Sequence, residues 1–395
     1  MPVLRVLLIL PTATYRAPDF LAAARALGVE VIVGSEQPQA MAGSMGDRSV
    51  VVPLEDPEAA VEAVAALHGR SPLDAVVAVD DQGVLIAAKA AARLGLPHNP
   101  LDAVAATRDK AAMRRAFAAA GVPQPRFEVI DGEPTASVGF PCVIKPVSLA
   151  ASRGVIRADD PAAATAAAAR VRAMVDGPLL VEEYVPGVEV AVEGLLRVGR
   201  LEVLAVFDKP DPLEGPYFEE TIYVTPSRLA PELLATIERV TADAAAAVGL
   251  VEGPVHAELR GDGDRVVVLE LAARSIGGLC SRALRFGAGI SLEEVVLRHA
   301  FGLPLADLRR EAAASGVMMI PIPGAGTLEA VHGQDDARAV PGVVGLEITI
   351  APGRPVQPLP EGDRYLGFIF ARGSAPDAVE DALRAGHACL DIVLA

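Results

Sequence analysis

Residues 256–278 read HAELRGDGDRVVVLELAARSIGG. Two apolar-rich runs joined by the turn residues Gly261-Asp262-Gly263-Asp264 form the pattern of an antiparallel hairpin. Glu258 lies on the first run and Glu270 on the second, and counting outward from the turn brings them near each other across the pair. Carboxylates at that spacing repel unless a cation sits between them, and hard oxygen donors suit Mg2+, or Mn2+, held jointly with phosphate oxygens. Arg274 follows Glu270 by four residues, and Gly277-Gly278 come just after. Together they offer a cation and backbone amides able to hold a carboxylate or a developing oxyanion.

Working outward toward the N-terminus, PLLVEEYVPGVEVAVEG at 178–194 delivers Glu182 and Glu183 into a short turn, and Glu189 opens the next strand. A hinge of this kind gives an adenine its backbone donor and acceptor and gives a ribose a carboxylate. Of the 35 basic residues only four are lysine, at 89, 110, 145 and 209. Where arginine serves for generic cations, a retained ammonium has the form of a compact point charge for phosphate. Lys110 falls on a helical stretch and Lys145 at the end of the strand CVIKP. After that strand, SLAASRGV at 148–155 has the small residues of a mobile flap whose backbone N–H groups can close over phosphate oxygens.

The chain divides into three regions. Residues 1–105 alternate strand and helix: apolar runs at 3–10, 29–33, 50–53 and 75–79, with helical patterns at 19–27, 57–68 and 82–94. Such repeated βα units build a parallel sheet covered on both faces. Helix formers then dominate from Leu101 to Ala120, which reads as one helix closed by Gly121. Residues 106–304 turn to paired strands with helices at 160–175 and 231–248, an α+β region, and 305–395 form a smaller α+β lobe ending in a helix over 376–387. The fold class is therefore α/β and α+β multidomain. After the first strand stands Pro11-Thr12-Ala13-Thr14-Tyr15, where a dinucleotide site needs its glycine fingerprint, and no GxxxxGK[ST] loop occurs in the chain.

A length of 395 residues with 52% hydrophobic and 22% charged residues implies two to three folded domains. A net charge of -16, no tryptophan and 4% aromatics leave neither a basic face nor a stacking platform, so nucleic acid is not an expected partner. No apolar run reaches the length that spans a bilayer, and the start MPVLRVLLILPTATYR lacks a signal-peptide cleavage pattern, so a cytoplasmic location without membrane contact is expected. Cys142, Cys280 and Cys389 form no CxxC pair, which argues against a disulfide framework or a zinc cage.

Lys110, Lys145, SLAASRG, VEEYVPGVE, HAEL and ELAARSIGG, in this order and at these separations, resemble the ATP-grasp carboxylate-amine ligases over nearly the whole chain. The resemblance implies a Rossmann-like preATP-grasp domain followed by two lobes that hold ATP between them, with ATP and Mg2+ as cofactors. It implies that Lys110 and Lys145 contact the phosphates, with Ser152, Arg153 and Gly154 in the flap. Glu182, Glu183 and the backbone around Tyr184 and Val185 would meet adenine, and Glu189 the ribose. Glu258 and Glu270 would ligate the metal, and Arg274 would stabilise an acyl phosphate and the tetrahedral intermediate that follows. Two departures stand out: Ala272 occupies the place where many relatives carry asparagine, and the flap has alanines in place of glycines.

The E-x-x-A-R form with following glycines is similar to the L-amino-acid ligases, which join two unprotected amino acids. FDKPDPLEGPYFEETIYVTPS at 207–227 resembles the stretch those ligases place over the substrate pocket. There Glu220 would meet the substrate ammonium, with Tyr223 where the family can carry histidine, and Gly277 and Gly278 close by. Lys209 falls in the same stretch, as a substrate or phosphate contact. The expected partners are small molecules, a carboxylate and an amine, with a homodimer as the candidate assembly. Bicarbonate-using carboxylases of the same fold and a non-catalytic nucleotide-binding protein are the rival readings.

Overall fold

The computed structural model describes residues 3–38, 46–132, 134, 137–262, 265–305 and 307–395. Gly263 and Asp264 of the expected hairpin turn lie outside them.

The N-terminal sheet is parallel, in the order β3-β2-β1-β4, from β1 (Arg5–Ile9), β2 (Glu30–Ser35), β3 (Ser49–Val51) and β4 (Ala75–Ala78). The continuous apolar run of β1 has a use on each face. Leu7 and Ile9 pack with the helices Pro57–Arg70 and Val84–Leu94, while Val6 and Leu8 pack with Phe20, Ala23 and Ala24 of the helix Ala17–Leu27. The second face is completed by Val296 and Leu297, from the helix Leu292–Ala300. A segment almost two hundred residues further on thus seals the first domain.

The stretch read as one helix from Leu101 to Ala120 is two, Leu101–Arg108 and Lys110–Ala120. Asp109 breaks it: its backbone is extended (φ -126°), and its carboxylate accepts from the N–H groups of Ala111 and Ala112 at 2.8 and 2.9 Å. That is an N-cap, and it competes with continuing the helix. The Lys110 N–H is thereby released to donate to Val147 O at 2.9 Å, which fixes the first turn of the second helix beside the 148–155 flap. Residue 105, the expected end of the first region, falls inside the helix Leu101–Arg108.

A second sheet, antiparallel in the order β5-β8-β6-β7, comprises β5 (Phe127–Ile130), β6 (Cys142–Pro146), β7 (Ile156–Ala158) and β8 (Leu179–Glu183). The helix Pro161–Arg172 covers it through Ala164, Ala167, Ala168 and Val171. The third sheet is the largest and is antiparallel throughout, in the order β13-β12-β9-β10-β11-β14-β18-β16. Its strands are β9 (Val188–Arg197), β10 (Arg200–Lys209), β11 (Ile222–Thr225), β12 (Gly253–Asp262), β13 (Arg265–Ala272), β14 (Ala314–Ile320), β16 (Val343–Ile348) and β18 (Gly367–Gly373). The sheet runs straight across residue 305, since β14, β18 and β16 of the last ninety residues extend it, while β15 (Gly326–His332), β17 (Pro355–Val356) and β19 (Asp391–Leu394) make a small sheet of their own. Among the described residues, no helix is long and apolar enough to cross a membrane.

Candidate active site

A cavity of about 500 Å³ lies where the three sheets meet. Every residue that the sequence singled out for the site lines it, except Gly154 and Lys209.

The floor is the β12–β13 pair. Glu258 is the direct cross-strand partner of Glu270, and the register shifts between Glu258 and Leu259, so that Leu259 faces Val268 and Leu269 is the extra residue of a β-bulge. Without the bulge Glu258 would pair with Leu269, and the acids would lie on opposite faces of the sheet. Arg114, from the helix Lys110–Ala120, holds the bulge. Its guanidinium donates to Val268 O at 3.2 Å and Leu269 O at 2.6 Å, and its Nε donates to Glu182 Oε1 at 2.5 Å. Arg114 is fully buried. Only a planar fork with several fixed donors reaches three such acceptors from one stem.

Glu182 hands this order on to Lys145, whose Nζ sits 2.7 Å from Glu182 Oε2. Burial pushes the Glu182 carboxyl up, but Arg114 and Lys145 outweigh it and hold it below its ordinary value. For Lys145, burial, with Arg114 and Lys110 nearby, outweighs Glu182 and lowers the ammonium from its ordinary value. A cation in that state gains from an incoming anion such as phosphate. The carboxylate expected at adenine is therefore engaged by two cations. The Glu183 carboxylate is held by Arg126 at 2.7 Å and by Arg265. Lys110 Nζ donates to Leu149 O at 2.6 Å and lies 3.2 Å from Glu270 Oε1.

In the flap, Ala151 and Ser152 take left-handed φ values of 56° and 54°, a conformation that costs a side-chain-bearing residue about 1 kcal/mol. Here the exchange of glycine for alanine is felt. Gly154 departs from its expected phosphate role, because its N–H donates to Pro360 O at 2.9 Å and a Cβ there would come within 3.1 Å of Pro146 Cδ.

Lys209 is the residue whose role the sequence left open. Its ammonium lies 2.7 Å from Glu189 Oε1 and 3.6 Å from Glu258 Oε1, bonds to Glu220 as well, and sits over the Tyr223 ring at 5.0 Å. Burial alone would lower its pKa, but the three carboxylates hold it well above the ordinary value. Glu189 and Glu220, expected at a ribose and at a substrate ammonium, are in this state partnered by Lys209, and Glu189 also by Arg260 at 3.0 Å. Oxygens of Glu189, Glu220 and Glu258 all fall within 4.8 Å of one another, a donor set with the chemistry to hold a metal ion.

Sequence reasoning missed several groups. Nδ1 of His256 lies 3.3 Å from Glu193 Oε2, its Nε2 lies 3.6 Å from Glu258 Oε1, and the Ile276 N–H donates to the same Glu193 oxygen at 2.9 Å. Asp81 is engaged by Arg274 at 2.6 Å and by Arg108 at 3.1 Å, so the first domain fixes the arginine expected to act on the substrate. A signal for Asp81 existed: it stands just beyond the carboxyl end of a parallel strand, where open α/β sheets bind their ligands.

Residues 138–283 match the ATP-grasp domain, 21–98 the ATP-grasp N-terminal domain, and 318–395 the L-amino acid ligase C-terminal domain 2. The chain belongs to the ATP-grasp superfamily. The L-amino acid ligase from Bacillus licheniformis superposes with a TM-score of 0.84 at 27% identity, covering 99% of each chain. N5-carboxyaminoimidazole ribonucleotide synthetase from Thermotoga maritima shares the ATP-grasp fold at 17% identity, with a TM-score of 0.74 and full coverage of both chains. An uncharacterized protein of Sinorhizobium fredii, y4rH, is 24% identical over 264 residues, 63% of this ATP-grasp chain; the match spans about half, 53%, of that relative's length.

The Asp81 contact gives a pH signature. Burial pushes its carboxyl up, but Arg274 and Arg108 outweigh burial and bring it down to about 2. In the unfolded chain an aspartate titrates near 4. A folded-state pKa below the unfolded one stabilises the fold above the unfolded value, and that contribution is lost as pH falls through the folded one. Asp81→Asn is expected to lose about 2 kcal/mol at pH 7, with the difference from the parent shrinking between about pH 4 and pH 2. Denaturant unfolding of both proteins across that range checks it; a difference independent of pH contradicts it.

Proposed function

We propose that this ATP-grasp protein is an ATP-dependent carboxylate-amine ligase that joins two amino acids, or a closely related acid and amine, through an acyl phosphate and releases ADP and phosphate. The observation that carries the reading is the Glu258–Glu270 pair: two acids in direct cross-strand register, facing one cavity, with Lys110 against one and Lys209 against the other. Acids so placed between ammonium groups fit a polyphosphate and its divalent ion. The match of residues 318–395 to the L-amino acid ligase C-terminal domain 2, and the solved ligase similar over 99% of the chain, support the amino-acid assignment.

Glu258 and Glu270 fit Mg2+ as hard carboxylate donors on one face, and bound Mg2+ supplies neutralisation of phosphate charge. The protein's own groups do the rest. Lys145, fixed by Glu182, and Lys110, fixed by Leu149 O, orient the phosphates of ATP for in-line transfer. A carboxylate oxygen attacks the γ-phosphorus, ADP leaves, and the carboxyl carbon gains a leaving group. The amine nitrogen then attacks that carbon and phosphate departs. Arg274, held by Asp81, and the Gly277-Gly278 backbone stand where the substrate carboxylate and the developing oxyanion need positive charge. The 148–155 flap, closed over the nucleotide, excludes the water that would hydrolyse the intermediate.

Purified protein given ATP, Mg2+ and paired amino acids is expected to release ADP and phosphate in step with a condensed product. Release of AMP and pyrophosphate, or ADP release stimulated by bicarbonate without amino acids, would replace this reading. Nucleotide binding without any turnover would place the chain among non-catalytic relatives.

A further inference from the structure

The loop at 357–365 touches the flap at one end and the cavity wall at the other. On its flap side, Pro360 O accepts the N–H of Gly154, within the 148–155 flap, at 2.9 Å. The next residue, Glu361, takes Arg170 of the helix Pro161–Arg172, which with the second sheet and its flap forms a lid, in a two-pronged contact, Nε to Oε1 at 2.6 Å and Nη2 to Oε2 at 3.0 Å. Arg170 is braced in turn by Tyr217, to whose hydroxyl it donates and whose ring lies 5.2 Å away. On its other side the same loop sends Asp363, Arg364 and Tyr365 into the cavity wall, and the Tyr365 hydroxyl donates to Glu220 Oε2 at 3.4 Å. Pro360, in contact with the flap, and Tyr365, in contact with the carboxylate proposed to meet a substrate ammonium, are therefore only five positions apart.

We propose that the 357–365 loop is a latch: Glu361 is a positioning residue that holds the lid shut over the nucleotide, and Asp363–Tyr365 of the same loop wall the substrate end, so that lid closure and substrate binding are coupled. The latch rests on the proposed function for its amino-acid side, and its lid side stands on the contacts alone. Surface ion pairs contribute little unless the geometry is two-pronged or several charges form a network, and this one is two-pronged and braced by Tyr217. Any group that packs on Tyr365 or Arg364 and orders the loop favours the closed lid, and by reciprocity a closed lid favours that group.

Glu361→Gln keeps the shape of the side chain and removes its charge. Relative to the parent it is expected to weaken MgADP affinity about fivefold and to speed hydrogen exchange of the 148–156 backbone in the MgADP complex by a similar factor. In turnover with amino acids, KM for ATP rises while kcat holds, and ADP release exceeds condensed product. Arg170→Met is expected to do the same, and the double variant no more than either single change, as for one shared contact. Unchanged nucleotide affinity together with unchanged flap exchange overturns the latch. Altered exchange and affinity in a protein that shows no amino-acid dependence keeps the lid contact and overturns the coupling to substrate, as well as the ligase reading.

Discussion

Glu270→Gln is expected to lower turnover by at least about a thousandfold, or about 4 kcal/mol of transition-state stabilisation, with the fold retained. The glutamine keeps the volume and an oxygen acceptor toward Lys110, so the β12–β13 pair and the bulge beside it stay in place. What disappears is half of the negative charge on the two acids that are proposed to share a divalent ion. The loss therefore falls on the step that neutralises the phosphates. Circular dichroism and MgATP titration separate this outcome from unfolding: the variant is expected to be folded and to bind nucleotide with a weakened Mg2+ dependence. A folded variant with full activity removes Glu270 from the metal site.

Arg114→Met carries the second large effect, and it acts on both stability and activity. The methionine fills part of the space but leaves Glu182 buried against Lys145 alone, and leaves the carbonyls of Val268 and Leu269 without their donor. Removing one partner of a buried ion pair costs about 3–5 kcal/mol, because the other charge stays desolvated. The expected result is a fall in unfolding free energy of that size, with nucleotide affinity lost in whatever folded fraction remains. Arg114→Lys is expected to fall between, since an ammonium pairs with Glu182 but cannot reach both bulge carbonyls. Arg114→Met combined with Glu182→Leu is expected to recover stability and not activity. Full stability of the single methionine variant would mean that the bulge is held by the strands alone.

Much of this arrangement was legible in the chain. From Val6 to Ile9 β1 is apolar at every position because both of its faces are covered, and the sequence reads accordingly as a parallel strand. Counting along a hairpin brings Glu258 and Glu270 near each other, but it sets Glu258 opposite Leu269; the bulge that makes the two acids direct partners could not be counted. A bulge closed by arginine leaves no mark of its own: the cue is a residue on a helix about 150 positions away. Asp109 was readable as an N-cap by type, but the helix formers on either side of it masked the break. Lys209 was undecidable for a different reason. Its three carboxylates come from β9, β12 and the segment before β11, and only the register of the large sheet brings them within reach. Gly154 was assigned by its place in the flap, and Pro360, its partner more than two hundred residues later, has no sequence signal at all.

The acyl phosphate is the centre of the account, and oxygen tracing tests it most directly. In the same amino-acid reaction, one substrate carries its carboxylate fully labelled with 18O, and the released phosphate is analysed by mass spectrometry. Attack of that carboxylate on the γ-phosphorus, followed by displacement by the amine, transfers one labelled oxygen to each phosphate. Phosphate carrying a single 18O, in amounts equal to the condensed product, is the predicted result. Labelled AMP alongside unlabelled pyrophosphate, or no label transfer at all, would contradict it.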